Sequence, residues 1–351
     1  ESHTSPGLAI GGGNMILHFV CPDPDEFVSG GNLYNRRLMA HLRQRQWTVI
    51  RSSWSSMKER PSSRGAAFYF YDSINFKALL GRQLPRPAAM IYHYLPGMEQ
   101  VAGKKASTVP VAWKQLPAIF DLHLAPSILI RNLLVEQVGI DPQRVLVLSP
   151  LFEPLPLPAP ATSAPPLLLM VANLLPVKGV LPFLAALQQL LDSRQKPPAF
   201  ELRIVGEPLD PAYAAAVTEK ISGHPEMAAR VRLLDPVPQA ELLRWYQRSD
   251  LVVSAARFES FGMAVFEALS VGVPVLALAR GNVPNLITDQ VNGLLFNNLR
   301  ALMEALLHLL EAPEKRRLLQ MGAIRHRPDP AARAQIGLDR LESTLHRYAL
   351  S

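Results

Sequence analysis

Short apolar runs alternate with longer stretches of helical spacing along nearly the whole chain. In the first half, residues 15–20 (MILHFV), 47–51 (WTVIR), 67–71 and 89–92 read as strands, and 121–127 and 145–150 extend the series. Residues 30–46 have the period of a helix opened by two glycines. The alternation resumes at 167–173 (LLLMVAN), with further strands predicted over 201–206, 231–234, 250–255 and 274–279. Helices are predicted over 180–192, 211–222, 238–248, from about 261, and over 299–311. Strands separated by helices imply parallel sheets covered on both faces. Between the two series, residues 151–166 place six prolines in sixteen positions, a density that leaves neither a helix nor a ladder strand.

The expected architecture is therefore α/β, with two Rossmann-like, doubly wound domains facing each other across a cleft. Residues 15–155 form the N-terminal domain, 156–166 a Pro-rich linker and 167–325 the C-terminal domain. Residues 326–351 supply a final helix; its apolar positions Ile336, Leu338, Leu341, Leu345 and Tyr348 suit packing back across both domains. Residues 1–14 are read as a tag or unstructured leader and set aside.

The length, 351 residues with 48% hydrophobic and 19% charged, suits two folded cores. The single cysteine, Cys21, permits no internal disulfide or multi-cysteine metal site and fits a reducing cytoplasm. No apolar run approaches the roughly 20 residues of a membrane helix. The net charge is +7, and residues 1–155 carry 16 Lys and Arg against 11 Asp and Glu, so the excess sits in the first half. An anionic partner suits that half: nucleotide phosphates or acidic lipid headgroups. The basic residues are scattered without interleaved aromatics, which argues against nucleic acid.

The stretch RFESFGMAVFEALSVGVPV, 257–275, concentrates the chemistry. Glu259 follows a strand, Ser260 is an expected N-cap, and Phe261, Gly262 and Met263 offer backbone N–H groups at a helix start. Glu267 lies on the same helix among Ala264, Val265, Phe266, Ala268 and Leu269; taken alone it reads as a solvated residue of an otherwise buried helix. Two carboxylates bracketing a helix start at the mouth of a sheet suit a polyol, whose paired hydroxyls donate to them. His93 follows a strand, Gly30 and Gly31 open a helix, and Lys178 precedes a glycine; each also has an ordinary structural reading. His123, between apolar neighbours, is assigned to the core. Asp23-Pro24-Asp25 has the spacing of a divalent-ion motif but reads better as a solvated turn.

The 257–275 stretch resembles the E-x7-E signature of retaining glycosyltransferases of the GT-B fold, in particular glycosyltransferase family four, the glycosyl transferases group 1 sequences. SGGNLYNRRLMAHLRQRQWTVI, DLHLAPSILIRNLLVEQVGIDPQRVLVLSP, VANLLPVKG and VPNLITDQVNGLLF match other landmarks in the same order, so the resemblance spans most of 15–325. It implies a cytoplasmic, metal-independent enzyme that uses a UDP- or GDP-sugar as co-substrate and no cofactor. By that resemblance Glu259 contacts donor-sugar hydroxyls, Glu267 the ribose, the backbone of Phe261, Gly262 and Met263 the sugar and phosphates, and Lys178 the diphosphate. Gly30 and Gly31 approach the phosphates, His93 lies near the sugar, and Pro236 and Val237 read the base. The implied partners are the donor and a glycan or lipid-linked acceptor, in bacterial polysaccharide, lipopolysaccharide or glycolipid synthesis, with peripheral contact at the inner membrane face.

Three positions depart from the family pattern. Asn173 stands where an arginine is usual, Ala255-Ala256 replaces Pro-Ser, and Asn285 replaces a glutamate. Asparagine donates hydrogen bonds without charge, which shifts diphosphate stabilisation onto Lys178 or an arginine from elsewhere. Two other readings stay open: a two-lobed nucleotide-sugar binding protein without turnover, and a glycoside hydrolase with Glu259 and Glu267 as its carboxylate pair.

Overall fold

A computed structural model of the chain describes residues 15–23, 29–58, 66–101, 109–152 and 165–350. The expected leader, residues 1–14, and most of the expected linker, 156–164, lie outside them. The first lobe is a six-stranded sheet of β1 (Ile16–Val20), β2 (Thr48–Ser52), β3 (Ala67–Asp72), β4 (Ala88–Ile91), β5 (Leu122–Ala125) and β6 (Val145–Val147) in the order β2-β1-β3-β4-β5-β6. The second holds β7 (Leu167–Val171), β8 (Glu201–Val205), β9 (Val231–Leu234), β10 (Leu251–Ser254), β11 (Val275–Leu278) and β12 (Gly293–Phe296), ordered β12-β11-β10-β7-β8-β9. Every strand pairing is parallel.

Parallel strands covered on both faces read as unbroken apolar runs, and β3 and β4 are buried at every position. In each sheet the strand order reverses once, between β1 and β3 and between β7 and β10. Loops leaving the carboxyl ends of strands on either side of such a reversal diverge and open a crevice there.

The helix Pro330–Leu350 returns from the second lobe to the first. Its Ala334, Leu338, Leu341 and Leu345 join Leu17, Phe19 and Phe70 in the core of the first sheet. Gly337 permits the approach: a Cβ there would lie 2.6 Å from the Val147 carbonyl oxygen. On its other flank, the Arg333 guanidinium sits 5.7 Å and 5.5 Å from the ring centres of Phe261 and Phe266 in the second lobe. Cys21 is a buried free thiol, pushed up to about 12 chiefly by burial. Among the described residues no helix is long and apolar enough to cross a membrane.

His123, on β5 of the first sheet, is fully buried, with Nδ1 2.7 Å from the Tyr92 hydroxyl and Nε2 without a partner. Burial, and secondarily Arg144, depress its pKa from 6.5 to about 3. The folded protein thus holds His123 neutral where the unfolded chain takes up a proton. Stability from this group is present above about pH 6.5 and is lost as pH falls toward 3, at up to about 1.4 kcal/mol per pH unit. His123→Gln is expected to flatten the pH dependence of urea unfolding between pH 6.5 and 4; an unchanged slope would show that other groups carry it.

Candidate functional site

The loops at both reversals face each other across one cleft, which Gly30, Gly31, His93, Asn173, Lys178, Pro236, Val237, Glu259, Phe261, Gly262, Met263 and Glu267 all line. Residues up to 237 positions apart in sequence are thereby brought to one cavity, as the topology of the two sheets requires.

From the second lobe, the loop after β7 carries Asn173 and the 3-10 turn Pro176–Lys178. Asn173 Oδ1 accepts the Glu207 backbone N–H at 3.1 Å, fastening this loop to the one after β8. Gly179 follows at φ +71°, and a Cβ on it would stand 2.1 Å from the Ala255 carbonyl oxygen. Only glycine lets the two loops close there, and that closure sets Lys178 Nζ 2.6 Å from Glu259 Oε1. Gly179→Ala is expected to cost about 2 kcal/mol or more, combining an unfavourable φ with a backbone clash. A melting temperature equal to wild type would contradict this packing.

Glu259 is held from behind by backbone. Its carbonyl accepts the Asn282 N–H at 2.7 Å, and Gly281 passes so close that a Cβ would lie 2.3 Å from that oxygen. Asn285 Nδ2 donates to Asn282 Oδ1 at 3.0 Å, and Asn282 Nδ2 donates to the Phe261 carbonyl at 2.8 Å. Asn285, at the position where the family pattern has glutamate, thus braces the loop that supports Glu259.

The sequence reading needs correction at the next helix. Met263–Val271 is capped by Gly262 at φ +94°, not by Ser260. The Ser260 carbonyl instead accepts the Ser127 hydroxyl of the first lobe at 2.6 Å, so the chain reaches two residues further before it turns into helix. The Phe261 side chain is buried beside Phe266 and Phe152, leaving its backbone at the cleft. The N–H groups of Met263, Ala264 and Val265 open the helix without a capping side chain.

Glu267 is also unlike the solvated residue its bare sequence context allows: it is 4% exposed. Oε2 accepts from the Tyr246 hydroxyl at 3.2 Å, Oε1 accepts from Gln239 Nε2 at 3.3 Å, and Arg37 Nη2 lies 3.8 Å from Oε1. Burial raises its pKa, opposed by Arg37, Tyr246 and Gln239. Sequence reasoning missed these three residues. Gln239 and Tyr246 share the helix Gln239–Arg248, and Arg37 projects from the first lobe's Gly30–Gln44; the only available sign was a basic residue two turns into the glycine-opened helix.

The first lobe contributes a second helix start. Ser29 caps Gly30–Gln44 by accepting the Asn32 N–H at 3.1 Å. A Cβ on Gly31 would meet the His93 ring at 3.0 Å, and one on Gly30 would lie 3.2 Å from Met263 Sδ across the cleft. His93 Nε2 is 3.0 Å from Asn35 Oδ1, and Asn35 Nδ2 donates to Asp72 at 2.6 Å. Burial lowers the His93 pKa against the raising effect of Asp72, which favours a neutral imidazole. Two helix N-termini and an ammonium thus face one cavity, an arrangement that favours an oxygen-rich anion. Asp23 accepts from Arg51 at 2.7 Å, while Asp25 lies outside the described residues. Among the described residues no group of three or more His, Cys, Asp and Glu is placed to hold a metal ion.

Two parallel doubly wound sheets with their switch points facing one cleft define the GT-B fold. Solved structures share it along nearly the whole chain. Sucrose-phosphate synthase from Thermosynechococcus elongatus matches with a TM-score of 0.74 at 18% identity, covering 96% of this chain and 100% of that one. Anabaena HepE in complex with UDP and glucose matches with a TM-score of 0.69 at 18% identity, covering 94% and 100%. The family model described as Glycosyl transferases group 1 matches residues 165–312, most of the second lobe, and the whole chain has the GT-B fold. The D-inositol 3-phosphate glycosyltransferase of Thermobispora bispora is 29% identical over 234 residues, 61% of this chain and 53% of that protein. Its counterpart in Corynebacterium diphtheriae is 32% identical over 166 residues, 42% and 38% of the two chains. The chain thus spans about half, or less, of the length of these curated relatives.

Proposed function

We propose that the protein transfers a sugar from a UDP- or GDP-sugar to an acceptor hydroxyl, with retention at the anomeric carbon and without a metal or cofactor. The observation that carries this reading is the convergence of Lys178, Glu259 and two helix N-termini at one end of a cleft that holds Glu267. HepE structures hold UDP and UDP-glucose, and the same fold here favours a donor of that class.

Glu267 accepts the ribose hydroxyls and Glu259 those of the sugar, while Pro236 and Val237 border the base. As the glycosidic bond breaks, negative charge grows on the departing diphosphate, and Lys178 with the N–H groups at Gly262–Ala264 stabilises it. With Glu259 engaged by Lys178, the departing phosphate oxygen takes the proton of an acceptor hydroxyl that attacks on the same face. Gly30 and Gly31 admit the phosphates, and His93 borders the sugar. Closing the lobes over the donor excludes the water that would hydrolyse it. The acceptor is a glycan or a lipid-linked glycan, met in the cytoplasm or at the inner membrane face.

Incubation with a panel of nucleotide sugars tests the proposal: slow release of the diphosphate from one donor, and retained configuration in a product read by NMR, are expected. Binding with no turnover in any acceptor extract would favour a sensor instead, and cleavage of aryl glycosides without nucleotide would favour a hydrolase.

A further inference from the structure

Arg37 belongs to the first lobe, yet three of its contacts lie at or beyond the lobe boundary. Its guanidinium stands 5.0 Å from the Phe152 ring centre, Nη1 donates to the Leu151 carbonyl at 3.0 Å, and Nη2 is 3.8 Å from Glu267 Oε1. Leu151 and Phe152 begin the connection between the lobes, and Phe152 packs 4.8 Å from Phe266, the neighbour of Glu267. One side chain of the helix after the Gly-Gly start therefore touches both the connection and the buried carboxylate.

We infer that Arg37 is a positioning residue that keeps Glu267 an ionised acceptor for the nucleotide's ribose, and so ties nucleotide affinity to the closed arrangement of the lobes. The inference rests on the donor site proposed above and adds to it the residue that maintains its carboxylate. Among the described residues, the other groups that hydrogen-bond Glu267 do not supply a positive charge. Tyr246 and Gln239 are neutral donors from one helix, Lys178 in the same cleft is paired with Glu259, and Arg333 lies over the Phe261 and Phe266 rings. A buried carboxylate deprived of its cation takes up a proton and then presents a poorer acceptor to a pair of hydroxyls. If the lobes part, Arg37 leaves with the first lobe, and Glu267 keeps Tyr246 and Gln239 but loses its cationic partner.

The test is calorimetric titration of the whole protein with UDP and with GDP at pH 6.0, 7.5 and 9.0, for wild type, Arg37→Gln, Arg37→Lys and Arg37→Gln/Glu267→Gln. The diphosphate's own protonation affects all of them alike and cancels in the ratio to wild type. Arg37→Gln is expected to bind about tenfold more weakly than wild type at pH 6.0 and to recover toward wild type at pH 9.0, one pKa unit corresponding to a factor of ten. Arg37→Lys should follow wild type, and the double variant should lose the added pH dependence because its residue 267 no longer titrates. Thermal melts accompany each titration; recovery of melting temperature in the double variant is expected if Arg37→Gln alone is destabilised. Profiles of Arg37→Gln that run parallel to wild type, or a pH dependence that survives in the double variant, would overturn the role of Arg37 and leave the donor site standing. Wild type that binds neither diphosphate at any pH would overturn both.

Discussion

Alanine at position 178 is expected to lower kcat by about 10²–10³-fold, the loss typical of removing one preorganised group from developing negative charge. Lys178 Nζ is fixed 2.6 Å from Glu259 Oε1 and lies on a turn whose course is set by Gly179. Under the proposed mechanism its ammonium is therefore already held in the cleft where the diphosphate departs. Asn173 carries no charge, and its side-chain oxygen already accepts the Glu207 backbone, so it does not compensate. Affinity for the bare nucleoside diphosphate should fall much less than kcat, since the two helix starts remain. Steady-state rates beside calorimetric titration make the comparison, and equal losses in both would make Lys178 a simple binding residue.

Glu267→Ala should act on the other side of that division. Losing a buried carboxylate that accepts charge-assisted hydrogen bonds, worth roughly 1.5–3 kcal/mol, is expected to weaken nucleoside diphosphate binding by about 10–100-fold. The thermal shift induced by the diphosphate should shrink accordingly. Glu259→Ala is expected to impair transfer more than it weakens the bare diphosphate, because its proposed contacts are to the sugar. If both glutamate variants bound and turned over as wild type does, the donor site would lie elsewhere.

Much of the architecture was readable from sequence because parallel strands are buried on both faces and end abruptly. The run VRLL ends at an aspartate and matches β9, Val231–Leu234, and the apolar periodicity of 180–192 and 299–311 matches the helices Val180–Asp192 and Leu299–Glu311. Elements with less internal pattern went unread: β12 is four residues whose partner β11 makes them a strand, and Pro313–Arg325 buries only Leu319 and Ala323. At the site, residue types at strand ends located the cleft, because a strand end in such a sheet is where the loops open. Its electrostatics were not legible. The surroundings of Glu267 come from Arg37, Gln239 and Tyr246 on two other helices, and no local spacing records that. The shift of the helix cap from Ser260 to Gly262 has the same origin, since a tertiary bond from Ser127 claims the Ser260 carbonyl.

The helix Pro330–Leu350 covers one face of a lobe whose strands end at Val147, so the wall of the earlier lobe is the last described part of the chain to leave the ribosome. During synthesis Leu17, Phe19 and Phe70 share their cluster with Leu38 and Leu42 of Gly30–Gln44, but the part of it filled by Leu338, Leu341 and Leu345 stays open until the second lobe has emerged. A fragment cut after β6 would expose that apolar face and tend to self-associate, whereas a two-piece complementation that supplies residues 326–350 in trans should restore its solubility.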